Sequence, residues 1–317
     1  MIHVLLREDG CDGESHLPGM TFPLLTIKCG NEYNKKNCKN AKEGEYHMDI
    51  QALKEKARLV RRDIITMTSK AGAGHPGGSL SCTDVLTALY FEVMNVDPKD
   101  EKNPNRDRFV LSKGHAAPAL YGTLCERGYF GPEEFDLFRQ LHGILQGHPD
   151  IKKCPGVDAS TGSLGQGISI AVGMALGAKH TGNPCHVYTL IGDGESQEGQ
   201  VWEASMAAAH YKLDNLTVIL DHNGLQIDGS NDEVMSIGDI HAKAAAFGYD
   251  VIEVADGNDM QQVLDALRAP ACPGKPRYIL LNTLKGKGVS FMEGQVGWHG
   301  KAPNAEQAEQ ALKELEG

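Results

Sequence analysis

The sequence lacks an apolar run that could cross a bilayer. The longest, ISIAVGMALGA at 168–178, falls well short of the ~20 residues a membrane-spanning helix needs. A secretory signal is also missing, because the opening MIHVLLREDG meets charge after six residues and has no apolar core. There is no excess of positive charge. The 31 lysines and arginines face 42 acidic residues, for a formal net charge of −11, which gives no general attraction to nucleic acid or to an anionic membrane. Basic runs such as RLVRR at 58–62 read as the solvated face of a helix. The eight cysteines contain no CxxC pair; free, mostly buried thiols suit a reducing compartment, and a cytoplasmic protein is expected.

Residues 1–47 show no steady hydrophobic period and are expected to be a poorly ordered leader, possibly not native, since Met48 directly precedes an amphipathic stretch. Cys11, Cys29 and Cys38 lie near His16 and His47 there, but their spacing matches no zinc pattern. No repeat or linker is visible from 48 to about 300, so residues 48–317 are expected to form one domain.

From Asp49 to about Lys70, apolar residues recur at helical spacing. The glycine-rich stretch AGAGHPGGSLS (71–81) reads as a loop, with Ser81 or Thr83 capping a second helix, DVLTALYFEVM. RDRFVLSKGHA (106–116) reads as a strand running into a turn, followed by the helix HAAPALYGTLCERG, and GQGISIAVGMALGAKH as a helix of small residues. Alternation follows: strand 186–191, helix 198–210, strand 216–221, helix 239–247, strand 249–254, helix 258–268, strand 277–282. The tail APNAEQAEQALKELEG reads as a terminal amphipathic helix, in keeping with a natural end to the chain. The implied fold class is α/β, a doubly wound parallel sheet with helices on both faces.

Two polar turns follow buried strands: IGDGESQEGQVWEA at 191–204, and LTVILDHNGLQIDG at 216–229. A right-handed strand–helix–strand unit places both turns at one carboxyl edge, where open α/β sheets bind ligands. Asp193, Asn223 and a neighbouring carbonyl, Leu225 being the candidate, offer hard oxygen donors that suit Mg²⁺. Gly192 and Gly194 would let a diphosphate approach the backbone, and the next helix would aim its N-terminus at that anion. GDG alone equally fits a tight turn with capping residues; its pairing with Asp-x-Asn favours a metal–diphosphate site.

GDGESQEGQVWEA followed by DHNGLQIDG resembles the thiamine diphosphate signature. More closely, the chain resembles the N-terminal, diphosphate-binding half of transketolase. AGAGHPGGSLS, LSKGHAAPALY (111–121), GHPD (147–150), TGSLGQG (161–167) and GWHG (297–300) are similar to further motifs of that family, in its order, from about 48 to 303. The resemblance implies thiamine diphosphate with Mg²⁺ (or Ca²⁺ or Mn²⁺) on Asp193, Asn223 and Leu225. It implies cofactor contacts at His115, Gly162, Ser163, Leu164, Gly192, Asp193, Gly194, Glu195, Asn223 and His299. His75, His115, His148 and His299 would ring the reacting sugar, with hydrogen-bond donors and proton shuttles for ketol transfer. Each is also a common kind of capping residue in a glycine-rich loop. Glu198 would join paired cofactor sites across an interface, or else be an ordinary first-turn glutamate.

A full transketolase continues for roughly as many residues again. The resemblance implies that the pyrimidine-binding domain, with the anchors for the sugar phosphate, comes from a separate C-terminal subunit, in an α₂β₂ heterotetramer. The 1-deoxyxylulose-phosphate synthases and the α-subunits of 2-oxo-acid dehydrogenases share GDG…N, but GHPGGSLS and SKGHA favour transketolase. A non-catalytic regulatory subunit of the same fold is the remaining alternative.

Overall fold

The computed structural model describes residues 48–316, so the leader and its Cys/His group lie outside the described residues. The first helix, α1 (Ile50–Ala71), is capped at one end by the Asp49 carboxylate, which accepts from the Ala52 N–H at 2.7 Å, and at the other by Gly72 at φ 60°. Next come α2 (Pro76–Ser81), α3 (Thr83–Ala88), β1 (Arg108–Leu111), α4 (Ala117–Arg127) and α5 (Gln166–Thr181). The alternating part is β2 (Val187–Gly192), α6 (Gly199–His210), β3 (Leu216–His222), α7 (Asn231–Val234), α8 (Ile240–Ala246), β4 (Asp250–Val254), α9 (Met260–Leu267) and β5 (Arg277–Asn282), closed by α10 (Ala305–Glu314). Among the described residues no helix is long and apolar enough to cross a membrane.

All five strands are parallel, in the order β1-β2-β3-β5-β4. β2 is buried along its whole length and β3 nearly so, as strands covered on both faces must be. Alternate side chains feed two cores. Tyr188, Leu190, Ile219 and Ile279 pack with α1, α3, α4 and α9, whereas Val187, Ile191, Val218 and Leu280 pack with α5, α6 and α8. This is the doubly wound sheet expected, and it holds the strand ends rigidly in one row.

The stretch 71–81 departs from expectation. Only its first part is a loop, and Pro76 opens a buried helical turn, its fixed φ suiting a first helical position. Neither Ser81 nor Thr83 caps α3. Cys82 stands at the cap without a side-chain bond, because Ser81 Oγ donates to Asp221 and Thr83 Oγ1 to the Ser79 carbonyl. That second helix also changes to a π turn at Leu89–Val93.

Candidate functional site

Pairing of Gly192 with Asp221 in the β2–β3 ladder sets the two polar turns side by side. Asp193 is 3% exposed. Its Oδ2 accepts from the Gly224 N–H at 2.7 Å, while Oδ1 is buried with no hydrogen-bond partner and lies 3.9 Å from His222 Nε2. Burial pushes the Asp193 carboxyl up to about 6, against the pull of His222. A buried anionic oxygen left unsatisfied is rare in folded proteins and fits a cation seat. Asn223 stands beside it, its Oδ1 accepting from the Leu225 N–H at 3.2 Å and its Nδ2 donating to Asp221 at 3.3 Å. The positive φ of Gly224, 76°, lets the chain turn there.

A cavity of about 360 Å³ opens over these turns. It unites His115, Gly162, Leu164, Gly192, Asp193, Gly194, Glu195, Asn223, Leu225 and His299, ten of the residues expected from sequence. A larger groove of about 710 Å³ runs beside α5 near Arg106 and Asp158, and contains none of them. His75 does not line the smaller cavity, yet its ring lies 5.4 Å from that of His115 and 5.8 Å from that of His299, with 5.1 Å between the latter two. Burial is the main cause that lowers His75 to about 4, His299 to about 3 and His115 well below its ordinary value. All three are therefore neutral imidazoles at pH 7. Lys285 Nζ donates to His299 Nδ1 at 3.0 Å, which leaves the ring proton of His299 on Nε2.

Other expected residues stand off the cavity. The His148 ring packs on Gly162, where an added Cβ would fall 2.9 Å from it. Ser163 and Glu198 are exposed, Glu198 beside Gly165. The Glu195 carboxylate, which burial raises, is occupied by Ser112 Oγ, the Gly165 N–H at 2.9 Å and the Gly192 N–H at 3.1 Å. It clamps two loops to the end of β2. A 3-10 turn, Gly194–Gln197, separates GDG from α6, so that helix begins one turn later than the sequence suggested.

The sequence reading missed two buried lysines and their surroundings. Lys113 pairs with Asp221 and donates to the Gly78 carbonyl at 3.0 Å. Lys285 has no carboxylate partner among the described residues, and burial, then the charge of Lys113, lowers it to about 8. Both line the cavity, with Gln226 and Ile227. The only signal in sequence is a lysine beside glycine, in SKGHA and LKGKG.

An unsatisfied buried aspartate, an asparagine turn, unpaired cationic charge and neutral histidines at the carboxyl edge of a parallel sheet define an α/β domain built for a metal-bound diphosphate. Residues 51–316 match the family described as transketolase, thiamine diphosphate binding domain, and the chain belongs to the transketolase family. It is 45% identical over 269 residues to one of the separately encoded subunits of the apulose-4-phosphate transketolase of Phocaeicola vulgatus, covering 84% of this chain and 95% of that protein. To the 6-deoxy-6-sulfo-D-fructose transketolase subunit SqwG of Clostridium sp. it is 44% identical, covering 86% and 98%. Against the transketolase structure from Campylobacter jejuni the TM-score is 0.80 at 36% identity, covering 84% of this chain but 43% of that one. The chain thus spans about two fifths of the solved transketolases it matches.

Proposed function

We propose that this chain is the thiamine-diphosphate-binding subunit of a two-part transketolase, moving a two-carbon ketol unit from a ketose phosphate or sulfonate to an aldose phosphate. The observation that carries the reading is the unpartnered Asp193 Oδ1, walled in a cavity with His115, His299 and Lys285. Mg²⁺, or Ca²⁺ or Mn²⁺ in its place, is held by Asp193, the Asn223 amide oxygen and the Leu225 carbonyl. Gly192, Gly194, His115, Lys285 and His299 receive the diphosphate. Bound thiamine diphosphate supplies the carbon nucleophile that a protein side chain cannot.

The protein's part is orientation and proton management. Neutral His75, His115 and His299 can donate a hydrogen bond to a sugar oxygen or take its proton near pH 7, His299 donating through Nε2. His148 and Glu198, off the cavity, act at the sugar's far end and at the junction of paired sites. A separate C-terminal, pyrimidine-binding subunit completes the cleft in a cytoplasmic α₂β₂ assembly. Support for the split comes from relatives whose names mark them as single subunits of a transketolase, and of which this chain covers 95% and 98%. The sugars in the relatives' names carry a terminal phosphate or sulfonate, which supports an anionic donor here.

Light scattering and a ketol-transfer assay on this chain, on the partner and on their mixture with cofactor and Mg²⁺ test the proposal. Only the mixture should assemble and turn over. Full activity from this chain alone would refute the split.

A further inference from the structure

The segment that leads into His148 holds a cation that nothing in the chain uses. Phe138 and Leu145 anchor it in the core, and the Arg139 N–H donates to the Leu145 carbonyl at 2.8 Å. Between those anchors Arg139 and His142 take φ of 60° and 71°. Left-handed backbone is costly for side chains of that size and collects at functional sites. The Arg139 guanidinium lies over Gly147, where an added Cβ would sit 2.9 Å from Nη1 and 3.0 Å from Cζ. Gly147 is not among the glycines at positive φ, so the close approach of the guanidinium, not backbone conformation, is what a glycine serves there.

Every other arginine among the described residues donates to an acceptor, as Arg61 does to Asp84, Arg106 to Asp158 and Arg277 to Asp250. Arg139 pairs with no carboxylate and donates to no side chain or carbonyl among them through its guanidinium. Its charge reaches the rim of the site. After burial, it is the next cause that lowers both His75 and His148. An exposed arginine normally finds water or a surface carboxylate. One held in a strained turn, unpaired, beside two site histidines, presents a planar fork of donors that matches a tetrahedral oxyanion.

We propose that Arg139 is a recognition residue, contributed by this chain, for the terminal oxyanion of the sugar substrate. The inference rests on the ketol-transfer reading above and adds to it a charge contact outside the pyrimidine-binding partner. Phosphate and sulfonate share the chemistry that such a fork reads.

The test is steady-state kinetics of the assembled holoenzyme carrying Arg139→Asn, since asparagine tolerates the left-handed backbone and removes only the cation. Three donors are compared: fructose 6-phosphate, 6-deoxy-6-sulfofructose and the neutral ketose erythrulose. KM for a charged donor should rise roughly 10–100-fold, the worth of a lost charge-assisted hydrogen bond, with kcat little changed. Erythrulose should be unaffected, which also shows that the variant folds. A loss confined to one charged donor supports the inference and identifies the oxyanion read. Gly147→Ala, which displaces the guanidinium without removing it, should give a smaller loss of the same selectivity. Equal losses on all three donors, or none, would overturn the inference and leave the proposed function standing. A wild-type assembly inactive on every donor would overturn that function, and this inference with it.

Discussion

Asp193 and Asp221 stand at the ends of neighbouring strands, β2 and β3, and both are almost wholly buried. Asp221 is saturated. Its Oδ2 accepts from Lys113 and from Ser81 Oγ at 2.6 Å, and its Oδ1 from Thr283. Burial works to raise its carboxyl, yet the Lys113 charge and these bonds hold it below the usual carboxylate range. Asp193 has one bonded oxygen and one orphan, and burial wins, lifting it to about 6. A buried charge fully paired with its own chain shapes the fold. A buried charge with an oxygen left over is incomplete until something else binds. The lesson is that burial alone does not mark a functional carboxylate, whereas burial with an unspent lone pair does.

Breaking the saturated member should cost the most. Asp221→Ala leaves Lys113 buried without its counter-charge, and the chain should lose about 3–5 kcal/mol of unfolding free energy, read by chemical denaturation. A loss below roughly 1 kcal/mol would erase the distinction between the two aspartates. Breaking the orphan should act on binding instead. Asp193→Asn should leave the ligand-free chain as stable as before or about 1 kcal/mol more so. The reconstituted assembly should then bind thiamine diphosphate with Mg²⁺ roughly 100-fold more weakly, because a formal charge and a hard donor are gone. Unchanged affinity in calorimetric titration would remove Asp193 from the metal site.

Why Asp193 was legible in the sequence and Lys113 was not follows from the same comparison. Asp193, Asn223, His115 and His299 sit in short glycine-bounded turns next to apolar strands, so local pattern exposes them. The strands β2, β3, β4 and β5 begin and end within about one residue of expectation, for the same local reason. Lys113 meets its partner across 108 residues of sequence, and only the folded sheet brings them together. Sheet order is equally non-local, with β5 inserted between β3 and β4. The misread of α2 is instructive in the other direction. PGGSLS looks like a loop because glycine disfavours helix, but Pro76 at the first position and complete burial of the turn override that preference.

The histidine rim extends the comparison from carboxylates to imidazoles, and its effect is the smallest and most finely resolved. His75 Nδ1, like Asp193 Oδ1, is a buried atom with no partner. Burial holds His75 near 4 and His299 near 3 in the folded chain, whereas the unfolded chain titrates these groups near their ordinary 6.5. Between those values the unfolded state binds more protons, so stability is full above pH 6.5 and falls as pH drops towards 4. Asp193, with its raised value, pulls the other way, giving stability that is full below 3.8 and lost as pH rises through about 6. Removing an imidazole should therefore flatten the acid limb of a stability–pH profile, and removing Asp193 should steepen it. Each histidine keeps some contact with solvent, so its share should fall short of the full ~1.4 kcal/mol per pH unit of a single group. Urea unfolding of His75→Asn, His299→Asn and Asp193→Asn from about pH 4 to 8 reads the slopes. If all three variants follow the wild-type curve, the burial of these groups has no energetic consequence, and orphaned atoms lose their value as a guide to this site.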